Sequence, residues 1–244
     1  MNTMNTIDVI YRLSDNGYKK PKFANATKMH CLHNCVKQFK ADNIHLFVDE
    51  TNLLPETKEA IQMLDEVVPF ENFLYYTGGS SAGSWRHVYE YATKILGHRS
   101  DDTIFYFLED DYLHLPNSAK VLLEGLSIAD YVSLYDHNDK YIPGTKGGNP
   151  FIGIDGGETT KVFRTKSTHW KLTNSTTMTF ATTLGQLKED DAIWKKYTQG
   201  SHPNDFQCFL ELRAVGRSLI TPIPGYSTHC EPTWASPGID WETV

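Results

Sequence analysis

The stretch Thr103-Ile-Phe-Tyr-Phe-Leu-Glu-Asp-Asp-Tyr112 decides the fold, because an apolar run of strand type ends there in three adjacent carboxylates, Glu109, Asp110 and Asp111. In open α/β sheets the ligand crevice lies outside the carboxyl ends of the strands, so we expect these acids at its mouth. Because side chains alternate along extended backbone, Glu109 and Asp111 are expected to share one side while Asp110 points away. The alternative is a solvated acidic turn, and the apolar residues before the acids argue against it.

Three neighbouring carboxylates repel one another unless a cation joins them. Their oxygen atoms suit a hard divalent ion such as Mg²⁺ or Mn²⁺. Such ions are commonly held by one or two protein carboxylates and completed by substrate phosphates. The acidic strand end therefore predicts a metal ion and a phosphorylated substrate.

Strand and helix patterns alternate through the first half of the chain. Alternation of this kind predicts a parallel sheet with covering helices, here from a strand at Ile7 to Leu13, a helix at about Phe23 to Phe39 and a strand at Ile44 to Val48. Residues 159–182 alternate Thr with apolar residues and predict two or three further β segments. One helix is expected to contain Leu184 and Trp194, and another to begin near Ser201. We therefore predict one α/β domain over residues 1–244, mostly parallel, with a smaller antiparallel β portion in the carboxyl-terminal half.

The composition limits the class of protein. With 244 residues, 40% hydrophobic and 12% aromatic, the chain can bury a substantial core. A net charge of −7 without a basic stripe excludes a strongly electrostatic nucleic-acid surface. No apolar run reaches the roughly 18 residues of a membrane span, and the amino terminus lacks a secretory pattern. A cytoplasmic location is the default expectation, and peripheral membrane association stays open.

The four cysteines are too few and too scattered for a disulfide scaffold. The local sequence His30-Cys31-Leu32-His33-Asn34-Cys35 resembles a zinc site. It falls inside a helical pattern, so only some of its polar groups face the same way. Reduced thiols and no zinc are the expectation.

Taken together, these features resemble the GT-A glycosyltransferases. The resemblance rests on the first strand and helix, Val48-Asp49-Glu50 at the end of the second strand, a Gly/Ser turn before the third helix, and Phe107-Leu108-Glu109-Asp110-Asp111. The family's metal motif is Asp-X-Asp, of which Glu109-Asp110-Asp111 is a variant. The resemblance implies a Rossmann-like GT-A fold, with a nucleotide-sugar half at residues 1–112 and an acceptor half with the carboxyl-terminal tail at residues 113–244.

The resemblance also implies a donor site for a nucleoside-diphosphate sugar, with UDP favoured. The diphosphate would be bridged to the protein by Mn²⁺ or Mg²⁺, with Asp111 as the direct ligand, Glu109 or Asp110 assisting, and His229 completing the coordination. Base, ribose and phosphates would be reached by a further set of residues: Arg12, Asp15, Asp49, Ser81, Ser84 and Arg86. Backbone amides at a helix start favour anions in general.

Inverting members of the family use a carboxylate base at the start of a late helix. Asn204-Asp205 is the matching position, so Asp205 is the candidate base that takes the proton of an acceptor hydroxyl on a glycan or other acceptor. Helix capping is the alternative role for this aspartate.

Two other functions remain open from the sequence. A sugar-phosphate nucleotidyltransferase also combines an α/β sheet with acids around Mg²⁺, and the segment after the first strand contains lysines but a single glycine. A non-catalytic carbohydrate-binding protein with the same architecture is the second alternative. Release of nucleoside diphosphate or of pyrophosphate distinguishes the enzymes.

Overall fold

The computed structural model describes residues 6–15, 20–62 and 68–244. The amino-terminal residues 1–5 and residues 16–19 of the lysine-containing segment lie outside that part. Within it, no helix is both long enough and apolar enough to cross a membrane.

Strands and helices follow one another in the order that the periodicity predicts for the first half. The strands are β1 (Ile7–Ser14), β2 (Ile44–Asp49), β3 (Phe73–Tyr76), β4 (Ile104–Glu109), β5 (Tyr112–His114), β6 (Tyr131–Val132), β7 (Val162–Arg164), β8 (His169–Leu172), β9 (Phe180–Thr183), β10 (Leu219–Ile223) and β11 (Ser227–His229). The helices are α1 (Lys28–Phe39), α2 (Pro55–Gln62), α3 (Ser81–Glu90), α4 (Ser118–Leu126), α5 (Leu184–Glu189), α6 (Asp191–Tyr197) and α7 (Asp205–Ala214). A π-helical turn, Tyr91–Ile95, extends α3.

One large sheet organises the described residues, in the strand order β3-β2-β1-β4-β9-β6-β10-β8-β7. Neighbouring strands from β3 to β4 are parallel, whereas β9 runs antiparallel to β4 and β8 antiparallel to both β7 and β10. A separate pair, β5 and β11, is antiparallel. The predicted α/β class, parallel first and partly antiparallel later, is confirmed. The division into halves at residue 112 stays a prediction.

The alternation of side chains along the central strands creates a core on each face of the sheet. On one face Val9, Leu46 and Tyr106 pack with residues of α1 and α4. On the other face Ile10, Phe47 and Phe105 pack with residues of α3, α5, α6 and α7. Successive residues of a strand point to opposite faces of the sheet. Because both sets of side chains are apolar in these strands, helices must cover both faces.

Strand register brings the predicted site residues to one edge of the sheet. Arg12 lies beside Glu109 in the β1–β4 pair, and Ser14 lies beside Asp49 in the β1–β2 pair. Parallel strands end at the same edge, so the acidic end of β4 meets the polar ends of β1 and β2.

Two helices differ from their predicted bounds. α1 begins at Lys28, after the cap Thr27, rather than near Phe23. Phe23 instead packs against a cluster that includes Cys230 and Trp241, which gives it an apolar contact outside the helix. The predicted helix through Leu184 and Trp194 is two helices, because the chain leaves the helical path at Asp190.

Candidate active site

A cavity of about 840 Å³ lies at the carboxyl ends of β1, β2 and β4. Of the eleven residues that the sequence analysis predicts for the site, only Arg86 lies outside the cavity. The ten that line it are Arg12, Asp15, Asp49, Ser81, Ser84, Glu109, Asp110, Asp111, Asp205 and His229. The cavity wall also contains residues that were not predicted, including Lys20, Lys22, Lys28, Thr177 and Glu231. The cavity is large enough for a small-molecule ligand of several hundred cubic ångströms.

Glu109 and Asp110 are each held by a basic side chain from another element. Arg12 Nη2 donates to Glu109 Oε1 at 2.9 Å, and its guanidinium lies 5.6 Å from the centre of the Trp85 ring. Asp110 Oδ2 accepts from the backbone N–H of Ser14 at 2.8 Å and pairs with Lys28 Nζ. Burial raises the pKa of Asp110 above its ordinary value, although Lys28 opposes that rise.

Two basic side chains contact one oxygen atom of Asp111. Its Oδ2 lies 2.9 Å from His229 Nε2 and 2.9 Å from Lys22 Nζ. Burial alone would raise the pKa of Asp111, but His229 and Lys22 together hold it well below its ordinary value. Burial works against the charged form of His229, and Asp111 nevertheless raises the pKa of that imidazole. Asp111 is therefore an anion at neutral pH with its charge directed at Lys22 and His229.

The trio does not follow the simple alternation expected of a strand. β4 ends at Glu109, and Asp110 and Asp111 lie in the turn that follows it. Each of the three carboxylates consequently points to a different basic partner while all three still line the cavity.

Asp49 is fixed by backbone amides at the end of β2. Its Oδ1 accepts from Thr51 N–H at 3.0 Å and from Gly78 N–H at 3.1 Å. Glycine at position 78 permits this approach, since a Cβ there would lie 2.6 Å from Asp49 Oδ2. Asp49 thereby joins β2 to the Gly/Ser turn before α3.

The remaining predicted donor residues fall into two groups. Asp15 accepts from Leu54 N–H at 2.9 Å, Ser84 exchanges a short hydrogen bond with Tyr76, and Ser81 begins α3, all on the cavity wall. Arg86 instead donates to the carbonyl oxygens of Thr198 and Gly200, the latter at 3.2 Å. Arg86 thus holds the loop that leads to α7, rather than lining the cavity.

Asp205 is the first residue of α7, and it lines the cavity. The neighbouring Asn204 is the helix cap, since its side chain accepts from Gln207 N–H at 3.3 Å. Asp205 Oδ1 accepts from Phe206 N–H at 2.8 Å. Burial raises the pKa of Asp205 to about 6, and the charge of Glu109 adds to the rise. A carboxylate with a pKa near neutrality is suited to proton transfer.

Two of the cavity's side chains could coordinate a divalent ion. Among the described residues no group of three or more His, Cys, Asp or Glu side chains is placed to hold a metal ion. Asp111 Oδ2 and His229 Nε2 are 2.9 Å apart. Two adjacent ligands of an octahedral ion with bonds of about 2.1 Å lie about 3.0 Å apart. These two residues would supply one oxygen and one nitrogen ligand to such an ion, and its other ligands would come from substrate phosphates and water.

The lysines of the cavity were missed as site residues because their contacts are remote in sequence. Lys22 and Lys28 lie 89 and 82 positions from the acids that they contact. One local signal was available: Lys28 opens α1, where a positive charge opposes the helix macrodipole and no acid lies in the first turn. Residues that break a local rule are often functional.

The segment His30-Cys31-Leu32-His33-Asn34-Cys35 lies within α1. Cys31 and Cys35 are buried, and His30 Nε2 lies 3.0 Å from the carbonyl oxygen of Val244. Cys31 Sγ lies 3.9 Å from Cys230 Sγ, both as free thiols.

Comparison with known proteins gives a structural likeness without a sequence relative. No protein-family model and no curated protein sequence match this chain. Among solved structures, a crystal structure of GalNAc-T7 with UDP, GalNAc and Mn²⁺ matches with a TM-score of 0.58 and 14% identity, over 92% of this chain and 43% of that one. The chain thus spans less than half the length of that protein. At this identity the likeness establishes architecture, and the chain has a mixed α/β fold that resembles the GT-A glycosyltransferases.

Proposed function

We propose that this protein is a metal-dependent glycosyltransferase that moves a sugar from a UDP-sugar to a hydroxyl group of a glycan or other acceptor, with inversion. One observation carries the proposal: Asp111, His229 and Asp205 line a single cavity at the strand ends of a GT-A-like fold. The similar structure of GalNAc-T7 contains UDP and Mn²⁺, which supports the choice of donor and ion.

The donor's nucleoside would lie against the ends of β1 and β2. Asp49 is held there by two backbone amides and lines the cavity wall, and a ribose hydroxyl is the donor group that we assign to it. Asp15 and Ser84 lie on the same wall. Polar groups held in place before the ligand arrives reduce the entropy lost on binding.

The diphosphate would lie beside Asp111 and His229, which would hold Mn²⁺ or Mg²⁺. The ion, when bound, supplies Lewis-acid neutralisation of the charge that develops on the departing nucleoside diphosphate. Lys28 and Arg12 keep the flanking carboxylates of the trio neutralised, so that Glu109 and Asp110 do not repel the phosphates.

Asp205 would take the proton from the attacking acceptor hydroxyl. Its carboxylate is partly buried, and helix capping is already provided by Asn204. Because burial raises the pKa of Asp205 to about 6, the group is ionised at neutral pH and basic enough to accept a proton. Attack opposite to the leaving phosphate then inverts the anomeric centre.

A panel of UDP-sugars tests the proposal. With Mn²⁺ and no acceptor, we expect slow release of UDP from one donor, and with acceptor an inverted anomeric configuration by NMR. Asp111→Asn should remove both activities. No release from any nucleotide sugar would contradict the proposal.

A nucleotidyltransferase is the second candidate, favoured by one observation. Lys20, Lys22 and Lys28, which follow β1, line the same cavity as the acids. Such enzymes release pyrophosphate from a nucleoside triphosphate and a sugar phosphate. Pyrophosphate release without UDP-sugar hydrolysis would replace the transferase proposal with this one.

A further inference from the structure

Each carboxylate of the acidic trio is already neutralised by a basic side chain of the protein. Arg12 from β1 pairs with Glu109, Lys28 from α1 pairs with Asp110, and Lys22 pairs with Asp111, which also contacts His229. Desolvated carboxylates are stable when paired in this way. The cavity therefore needs no bound cation to keep its acids charged.

The pairs of Arg12 and Lys28 are firmly held. The Arg12 side chain is 5% exposed and lies against the ring of Trp85. Lys28 Nζ also contacts the carbonyl oxygen of Ser14 at 2.6 Å. Replacing Lys28 would leave the buried carboxylate of Asp110 without this compensation, which is strongly unfavourable, and replacing Arg12 would remove a cation from the partly exposed Glu109.

The pair of Lys22 is held less firmly. Its side chain is 32% exposed, against 5% for Arg12 and 27% for Lys28. Unlike those two residues, Lys22 lies in a segment with neither helix nor strand, between residue 20 and Thr27. The segment is anchored by the next residue, because Phe23 N–H donates to the carbonyl oxygen of Cys230 at 3.1 Å. The Phe23–Cys230 hydrogen bond therefore fixes the Lys22 backbone close to His229, while the Lys22 side chain stays partly exposed. Partly exposed ion pairs contribute little net stability, so this one can be exchanged.

Lys22 and a divalent ion compete for the same atom. Lys22 Nζ and His229 Nε2 both lie 2.9 Å from Asp111 Oδ2. A divalent ion bound to Asp111 and His229 would repel an ammonium group left on that oxygen. The released ammonium group would remain in the cavity, where a diphosphate offers it a stronger partner than water does.

We infer that Lys22 is an exchange cation: it neutralises Asp111 in the absence of ligand, yields Asp111 to the divalent ion, and transfers to the diphosphate of the donor. The inference rests on the proposed function. Metal and donor should therefore each favour the binding of the other. The metal alone displaces Lys22 without giving it a phosphate partner, and the donor alone lacks the ion that joins its phosphates to Asp111 and His229. Such coupling is reciprocal by thermodynamic linkage.

Calorimetric titration of Mn²⁺ alone, and of UDP at saturating Mn²⁺, tests the exchange in four proteins. In Lys22→Gln the ammonium group no longer competes for Asp111, so we expect Mn²⁺ alone to bind about tenfold tighter than in the wild type, within the usual range of coupling. UDP should bind about tenfold weaker, because the phosphate loses its ammonium partner. Lys22→Arg keeps the charge and should remain within about threefold of the wild type on both measures.

The matched control is Lys94→Gln, which removes a 2.9 Å ion pair with Glu90 outside the cavity and should change neither affinity. Thermal melts of all four proteins confirm that they fold. Unchanged or weaker Mn²⁺ binding in Lys22→Gln would overturn the exchange, even where the wild type binds UDP with Mn²⁺ and the proposed function stands. If the wild type binds no UDP with Mn²⁺, the proposed function is overturned and the diphosphate half of the exchange with it.

Discussion

At the start of α7, two adjacent polar residues have separate roles. Asn204 caps the helix through Gln207 N–H, whereas Asp205 faces the cavity with a pKa that burial raises to about 6. An acid held in this way is unfavourable for folding at neutral pH and useful for proton transfer. Conflict between stability and activity is common at catalytic positions.

Asp205→Asn is expected to slow sugar transfer by roughly 10² to 10⁴ while leaving UDP affinity unchanged, because the base is lost and the donor contacts are kept. The wild-type rate should also decrease as the pH falls through about 6, since protonation removes the base. The variant's residual rate should lack this decrease. Transfer rates from pH 5 to 8 measure both effects.

Asp191→Asn is the matched control, since Asp191 likewise begins a helix but pairs with Lys195 at 2.7 Å outside the cavity. Its pH profile should match that of the wild type. Full transfer activity in Asp205→Asn would return Asp205 to a purely structural role.

The same residue should make stability depend on pH. The folded-state pKa of Asp205 lies above the ordinary value of 3.8, so between these values the folded state binds more protons than the unfolded state. Stability therefore falls as pH rises from about 4 to about 6 and stays lower above it. Asp205→Asn should melt at a higher temperature than the wild type at pH 7.5, with the difference shrinking near pH 4. An unchanged or lower Tm at pH 7.5 would contradict the raised pKa.

At the scale of elements, the turn between β3 and α3 shapes the cavity wall to which we assign the donor. Gly78 lies so close to Asp49 and to the backbone of Ser84 that an added Cβ would come within 2.6 Å of the carboxylate and 3.1 Å of Ser84 Cα. The close approach lets Gly78 N–H hold Asp49. A side chain at this position must move either the carboxylate or the helix.

Gly78→Ala should weaken UDP binding in the presence of Mn²⁺ by about tenfold, equivalent to about 1.4 kcal/mol. It should also reduce the free energy of unfolding by about 1–3 kcal/mol, as overpacking does. Calorimetry and urea unfolding provide the two values. Gly153→Ala is the control, because a Cβ there meets nothing within 4 Å. Wild-type UDP affinity in Gly78→Ala would show that Asp49 does not contribute to the donor wall.

The elements show what the sequence allows one to predict. Periodicity identified β1, α1, β2 and β4, because their apolar spacing is set by the faces that they bury. The early start predicted for α1 failed since Phe23 packs against Cys230 and Trp241, a contact from the far end of the chain. The helix break at Asp190 likewise depends on remote partners, Tyr131 and Arg217.

In the candidate site too, local sequence patterns could be predicted, whereas contacts between residues remote in sequence could not. Acids at a strand end and a Gly/Ser turn are local patterns, so Asp49 and Glu109 could be placed at the crevice from sequence. Lys22 and Lys28 acquire their roles through partners more than 80 positions away. The hydrogen bonds from Arg86 to the carbonyl oxygens of Thr198 and Gly200 also depend on tertiary packing.

At the scale of the whole molecule, the two cores fix the sheet while its carboxyl edge remains open as the cavity. A ligand that binds there stabilises the folded state by mass action. UDP at 100 times its dissociation constant contributes about 2.7 kcal/mol. For a chain of this size, that amounts to an increase in Tm of about 5–10 °C.

We expect this thermal shift with UDP and Mn²⁺ together, and little shift with UDP and EDTA, because Asp111 and His229 require the ion to engage the phosphates. Differential scanning fluorimetry measures both conditions. Asp111→Asn serves as the control and should show no shift with UDP and Mn²⁺. An equal shift in EDTA would indicate that the basic side chains alone hold the nucleotide.

The most direct measurement is an anomalous difference map from a crystal soaked with Mn²⁺ and UDP. The account predicts one manganese peak in the cavity, beside Asp111 and His229 and next to the UDP phosphates. Manganese absent from the cavity, or a nucleotide bound elsewhere with Lys22 still on Asp111, would contradict the account.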